Sequence, residues 1–248
     1  MITIHREDTE YGVITIFRSR DTGSCIYSQG GSYQSEADSR GVSLASYVHA
    51  MHGFVVQSAA KTVVVIGCAG GTLATMLAYS GMTVSVVDVN RSSVDLARRY
   101  FALPADVIFH LGDGNAFLNK TDAAFDAIAV DAYVGNEIPG HLRSQAFLET
   151  ARRRLTPHGV VLFNVHVAHD FDPGADAVGA TMMLAGLPVR ILDAPCILNR
   201  NTIVLGGAVA GLDEPRLMMP PAFSAGQIVK ELDRMSFRPC RQSQAESE

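Results

Sequence analysis

The architecture follows from one turn, Val65-Ile66-Gly67-Cys68-Ala69-Gly70-Gly71-Thr72. It joins the apolar run Thr62–Ile66 to a helical pattern over Leu73–Tyr79. An unbroken apolar run of this length reads as a strand buried on both faces, as in a parallel sheet. Glycines in the turn let the backbone approach a ligand and aim helix N–H groups at it. The spacing G-x-x-G-G differs from the G-x-G-x-x-G dinucleotide fingerprint, and no Lys-Ser/Thr follows as in a phosphate-binding loop. A tight strand-to-helix turn with no ligand has the same appearance.

On the C-terminal side the pattern repeats. Strands are expected at Thr83–Val87, Val107–His110, Phe125–Val130 and Val160–Val165. Helices are expected at Val94–Phe101, Asn115–Leu118, Ser144–Leu155 and Ala175–Leu184. This alternation implies an α/β fold with a mainly parallel sheet and helices on both faces. Val189–Leu192 and Thr202–Leu205 follow each other without a helix and read as an antiparallel pair at one edge. Residues 223–235 form a last helical pattern. On the N-terminal side, residues 44–56 fit a helical face, 34–42 read as a polar loop, and 1–35 as a β hairpin or meander broken at Gly30-Gly31. The resulting division is 1–42 as a β-hairpin segment, 43–237 as a Rossmann-like α/β domain and 238–248 as a disordered tail.

Three carboxylates fall at strand tips, where open α/β sheets bind ligands. Asp88 lies 21 residues after Gly67, the spacing at which an acid accepts from both ribose hydroxyls. Its alternative role is a helix N-cap, for which Asn90 competes. Asp113, in Gly112-Asp113-Gly114, can accept from an adenine amino group or cap the next helix. Asp131 directly follows the fourth core strand and is placed to face substrate, or to cap a loop.

Composition narrows the function classes. The 248 residues are 48% hydrophobic and 18% charged, enough for a buried core. A formal net charge of −5 disfavours nucleic acid as a partner. No apolar run reaches the roughly 18 residues that span a bilayer, so no membrane partner is expected. The N-terminal segment is too polar for a secretory signal. Four scattered cysteines without a C-x-x-C pair suit a reducing, cytoplasmic setting. His166 and His169 sit in a loop pattern without a helical H-x-x-x-H, so no metal is expected.

Together, Gly67–Gly71, Asp88, Gly112-Asp113-Gly114 and Asp131 followed by Pro139 resemble the spermidine synthase, or polyamine aminopropyltransferase, family. Arg152–Val165, "RRRLTPHGVVLFNV", is similar to its helix, Pro-Gly turn and fifth strand, and the N-terminal β segment to its small hairpin domain. The likeness extends over residues 10–206 and is strongest to compact bacterial spermidine synthase-like members. It implies an S-adenosylmethionine-dependent methyltransferase-type sheet and a homodimer. It also implies transfer of an aminopropyl group from decarboxylated S-adenosylmethionine to a small-molecule amine, without metal. Carried over residue by residue, Asp131 is the base. Gln34, Gly67, Gly70, Gly71, Asp88, Asp113 and Gly114 hold the nucleoside, and Tyr47, His49, Tyr133 and Glu137 the acceptor.

The departures bear on substrate. The family's glycine turn carries an acid that pairs with the donor's amine; here Cys68-Ala69 occupies that stretch. The choice between decarboxylated and intact S-adenosylmethionine therefore stays open. The family's second acceptor acid stands three residues after the base; here that position is Val134, with Glu137 the nearest acid. Arg200 would oppose a cationic acceptor if it faced the pocket. The alternatives are an S-adenosylmethionine-dependent methyltransferase and a non-catalytic nucleoside-binding module. A nicotinamide dehydrogenase is disfavoured by the glycine spacing.

Overall fold

A computed structural model of the chain describes residues 1–135 and 137–241. Four N-terminal strands, β1 (Ile2–Thr9), β2 (Gly12–Arg18), β3 (Cys25–Gln29) and β4 (Ser32–Ala37), form an antiparallel sheet in sequential order. Gly30 and Gly31, both at positive φ, turn β3 into β4 rather than ending the sheet. Residues 34–37, read as loop from their polarity, are therefore strand. Gln34, Ser35 and Glu36 are partly buried and Ala37 is buried, so this polar stretch is half-buried strand, which composition alone conceals.

Helix α1 (Ser46–Gln57) leads into the core: β5 (Thr62–Ile66), α2 (Thr72–Tyr79), β6 (Thr83–Asp88), α3 (Arg91–Tyr100), β7 (Ile108–Leu111), α4 (Gly114–Lys120) and β8 (Phe125–Val130). A 3₁₀ turn at Gly140–Arg143 precedes α5 (Gln145–Arg154), β9 (Leu155–Val167), α6 (Gly174–Leu184), β10 (Val189–Asp193), β11 (Arg200–Gly207), α7 (Ala225–Leu232) and β12 (Ser236–Arg238). The eight-stranded sheet has the order β12-β10-β11-β9-β8-β5-β6-β7. β5 to β9 run parallel. The β10–β11 pair is antiparallel as expected, but β11 is not at an edge. It fills the gap between β9 and β10, antiparallel to both, and β12 covers β10. β9 also begins five residues before the expected Val160, because Leu155 already pairs with Phe125.

Alternation along β5 divides the core. Val63 and Val65 pack under α1, α2, α3 and α7, while Val64 and Ile66 pack under α4, α5 and α6. The small sheet is fastened to α3. Ile14, Ile16 and Tyr27 pack on Leu96 and Phe101, and the Tyr27 hydroxyl meets Ser93 Oγ at 3.0 Å. Residues 238–241, expected to belong to a disordered tail, pack against the domain instead. Arg238 closes β12, and the Arg241 N–H donates to Asp176 at 2.7 Å. Residues 242–248 lie outside the described residues. Among the described residues no helix is long and apolar enough to cross a membrane.

Candidate active site

A cleft of about 740 Å³ opens where the small sheet faces the C-terminal tips of β5, β6 and β8. β5 has β6 on one side and β8 on the other, with their crossover helices on opposite faces. This is the switch point at which such sheets bind ligands.

The glycine turn forms its floor. Gly67 (φ +97°) and Gly71 (φ +64°) adopt backbone that other residues rarely tolerate. A Cβ on Gly67 would lie 2.4 Å from the Asp131 carbonyl oxygen, so only glycine lets these two segments pass. No side chain caps the N-terminus of α2. Gly70 does not line the cleft; its N–H donates to Ser35 Oγ of β4 at 3.2 Å and docks the small sheet. Gly114 does line it.

Asp88 closes β6. Its Oδ2 accepts from Cys68 N–H and its Oδ1 from Asn90 N–H, each at 2.7 Å. Asn90 caps α3 through Ser92 N–H, which frees Asp88 from that role. Burial pushes the Asp88 carboxyl above its ordinary pKa, against the pull of both N–H groups. Asp113 does cap its helix: Oδ1 accepts from Ala116 N–H at 2.9 Å, while Oδ2 meets His141 Nε2 at 2.6 Å. Burial raises its pKa, but these hydrogen bonds outweigh it and hold the group below the ordinary value. Gln34, on β4, lines the same cleft.

Asp131 stands one residue past β8, its N–H bound to Ile66 O at 2.9 Å. Asn164 Nδ2 donates to its Oδ1 at 2.8 Å, and the Tyr47 hydroxyl approaches Oδ2 at 3.5 Å. Asn201 Nδ2 donates to Asn164 Oδ1 at 2.8 Å, which fixes the amide that holds Asp131. Burial raises the Asp131 pKa, and its neutral partners do not offset it. The Tyr133 hydroxyl donates to Asn164 O at 2.7 Å and accepts from His166 N–H at 3.0 Å.

Two residues expected at the acceptor end are elsewhere. His49 is buried outside the cleft, its Nε2 on Ser43 O at 2.7 Å, and burial lowers its pKa. Its place on α1 two residues after Tyr47 turns it about 200° around the helix from that residue, at roughly 3.6 residues per turn. Glu137 is also outside the cleft; it points to solvent against Arg143 at 3.3 Å. Arg200 does not face the cleft either, being buried on Asp193 at 2.6 Å and Asp170 at 3.0 Å. Sequence reasoning missed Asn164, Asn201 and His141. A lone amide inside the apolar run Val160–Val165 is the trace that Asn164 leaves in the sequence. Among the described residues, no group of three or more potential metal ligands gathers.

The fold and cleft together define a class: a methyltransferase-like Rossmann sheet carrying a separate N-terminal antiparallel sheet. A methyltransferase-domain family matches residues 63–159. The chain is similar to polyamine aminopropyltransferases. A probable polyamine aminopropyl transferase of Bifidobacterium longum is 34% identical over 113 residues, 45% of this chain and 25% of that protein. The polyamine aminopropyltransferase of Chromobacterium violaceum is 34% identical over 125 residues, 48% of each. The matched stretch thus spans half or less of these two relatives' own length. Among solved structures, a probable spermidine synthase from Corynebacterium glutamicum superposes with a TM-score of 0.76 at 18% identity, covering 95% of this chain and 90% of that one. The spermidine synthase of Thermotoga maritima gives 0.63 at 18% identity, covering 86% and 73%. At such identity the likeness establishes the fold.

Proposed function

We propose that the chain transfers an aminopropyl-type group from an S-adenosyl sulfonium donor to an amine, with Asp131 as base. The observation that carries this reading is Asp131 itself: a desolvated carboxylate held by Asn164 and Tyr47, in the same cleft as Asp88. In this reading Asp88 accepts from the ribose hydroxyls. Asp113, with His141 beside it, borders the adenine, and Gln34 closes the nucleoside from the small sheet. Tyr47 and Tyr133 flank the acceptor. A cytoplasmic homodimer belongs to the same reading.

The acceptor arrives as an ammonium without a lone pair. Asp131 takes one proton, and a base with a raised pKa does this more readily. The freed nitrogen attacks the methylene next to sulfur. The C–N bond forms, the C–S bond breaks, and its electron pair stays on sulfur as a neutral thioether. The positive charge passes from sulfur to nitrogen. No covalent intermediate with the protein is required, so alignment of nitrogen, carbon and sulfur supplies most of the rate.

The cleft's charge supports a cationic donor. Glu10, Asp88, Asp113 and Asp131 line it, and among the described residues no Lys or Arg does. One observation favours the methyltransferase alternative: Cys68 and Ala69 put no acid where a donor amine would need one. Thioether release from decarboxylated and from intact donor, each with and without an amine, separates the two. Amine-dependent methylthioadenosine release is expected; release of S-adenosylhomocysteine from the intact donor alone would replace this reading.

A further inference from the structure

We propose that the acceptor is a primary amine carrying a single positive charge, with a neutral polar far end, rather than a diamine. This rests on the transferase reading above and narrows its substrate. The four acids of the cleft divide between its two ends. Asp88 and Asp113 belong to the glycine-turn end. Glu10 sits on the β1–β2 turn next to Thr9, whose Oγ1 receives Asn90 Nδ2 at 3.3 Å, and so lies on the Asp88 side. Among the described residues, Asp131 is left as the one carboxylate at the acceptor end.

The groups beyond Asp131 cannot replace a second acid. Val134, three residues on, lines the cleft and is 74% exposed. Glu137 is turned away to Arg143. The Tyr133 hydroxyl is already committed as donor to Asn164 O and acceptor from His166 N–H. The Asn164 carbonyl oxygen is taken by Asn201. What remains is the Asn201 amide and the His166 imidazole, neither of which is anionic in any protonation state. An amide offers both a donor and an acceptor, which a hydroxyl matches. An ammonium only donates, and here it would find no counter-charge.

The chemistry is unchanged by this choice. One nitrogen gives its proton to Asp131 and attacks the methylene, and the C–S pair leaves with sulfur. Only the group at the far end differs.

The test measures methylthioadenosine release at saturating decarboxylated donor with two chain-matched acceptors, 4-aminobutan-1-ol and 1,4-diaminobutane. The amino alcohol is expected to have the higher kcat/KM by at least about tenfold, the lower range for one mismatched pocket contact. Equal or better use of the diamine overturns the inference while leaving the transferase reading intact. Transfer to neither, with donor still bound in a thermal shift, overturns both. Val134→Asp supplies the missing acid and is expected to lower the diamine KM about tenfold with donor affinity unchanged. An unchanged diamine KM in that variant would refute the placement of the far end beside Val134.

Discussion

Asp131 and Asp193 stand at the same edge of one sheet, at the tips of β8 and β10, and meet opposite surroundings. Asp193 accepts from Arg200 Nε at 2.6 Å, Arg238 Nε at 2.8 Å, the Thr202 hydroxyl at 2.9 Å and Ala194 N–H at 2.8 Å. Burial would raise its pKa, but two guanidinium groups and the hydroxyl drive it far below the carboxylate range. Asp131 receives an amide and a phenol, and burial prevails. A carboxylate saturated by cations is locked in its charge state and serves the fold. One left short of donors keeps a proton affinity that chemistry can use.

The sharpest way to break this contrast is Asp131→Asn. Asn preserves shape but cannot take a proton, so turnover should fall about 10²–10⁴-fold. Melting temperature and donor affinity should stay near wild type. Steady-state kinetics paired with calorimetric titration read both, and retained turnover would end the base assignment.

Asp193→Ala should act in the opposite sense. It leaves Arg200 and Arg238 without their shared counter-charge and should cost about 3–5 kcal/mol of folding free energy, the usual loss on breaking a buried ion pair. Urea denaturation measures this, and an unchanged midpoint would show that the cluster contributes nothing.

Asp88→Ala tests a third environment, in which two backbone N–H groups leave lone pairs for a ligand. Donor affinity should weaken by about 1.5–3 kcal/mol per charge-assisted bond lost. Equal affinity by calorimetry would refute the ribose assignment.

The mildest test is pH. The proposed base role needs Asp131 ionised, and burial raises its pKa. Turnover should therefore decline with falling pH before an ordinary carboxylate, near about 3.9, would protonate. Asp193 has the reverse sign. Its stabilisation is complete above its unfolded pKa and is lost only as pH falls through the lower folded value. Between the two lies a window in which the protein is folded but slow. Parallel rate and circular-dichroism profiles that fall together would contradict it.

Much of this was readable in the sequence because strand periodicity and glycine punctuation are local. Thr62–Ile66, Gly67–Gly71, Asp88 and Asp131 each declare themselves within a few residues. Pairings across long separations do not. His141 meets Asp113 from 28 residues away, and Asn201 reaches Asn164 from 37. The insertion of β11 beside β9 depends on which free edge is available, and hydrophobic pattern does not record that. Arg200 looked like a barrier to cations because its partners Asp193 and Asp170 are brought to it only by the β10–β11 pairing. His49 was misplaced because adjacency to Tyr47 in sequence does not survive helix geometry.

The shared register of β6, β5 and β8 makes the sheet a gauge. Ile66 lies opposite Val87 on one side and Val130 on the other, so Asp88 and Asp131 each stand one residue past the same rung. Two interstrand spacings separate their backbones, about 10 Å at 4.7–4.9 Å each. That span is set by main-chain hydrogen bonds, not by any side chain. Substitutions in the loops after β8 and β9 can therefore reshape the cleft beyond Asp131, while the reach from Asp88 to Asp131 stays constant. Gly67, threaded between them with no room for a Cβ, is the mark on that gauge that mutation cannot move without shifting both ends.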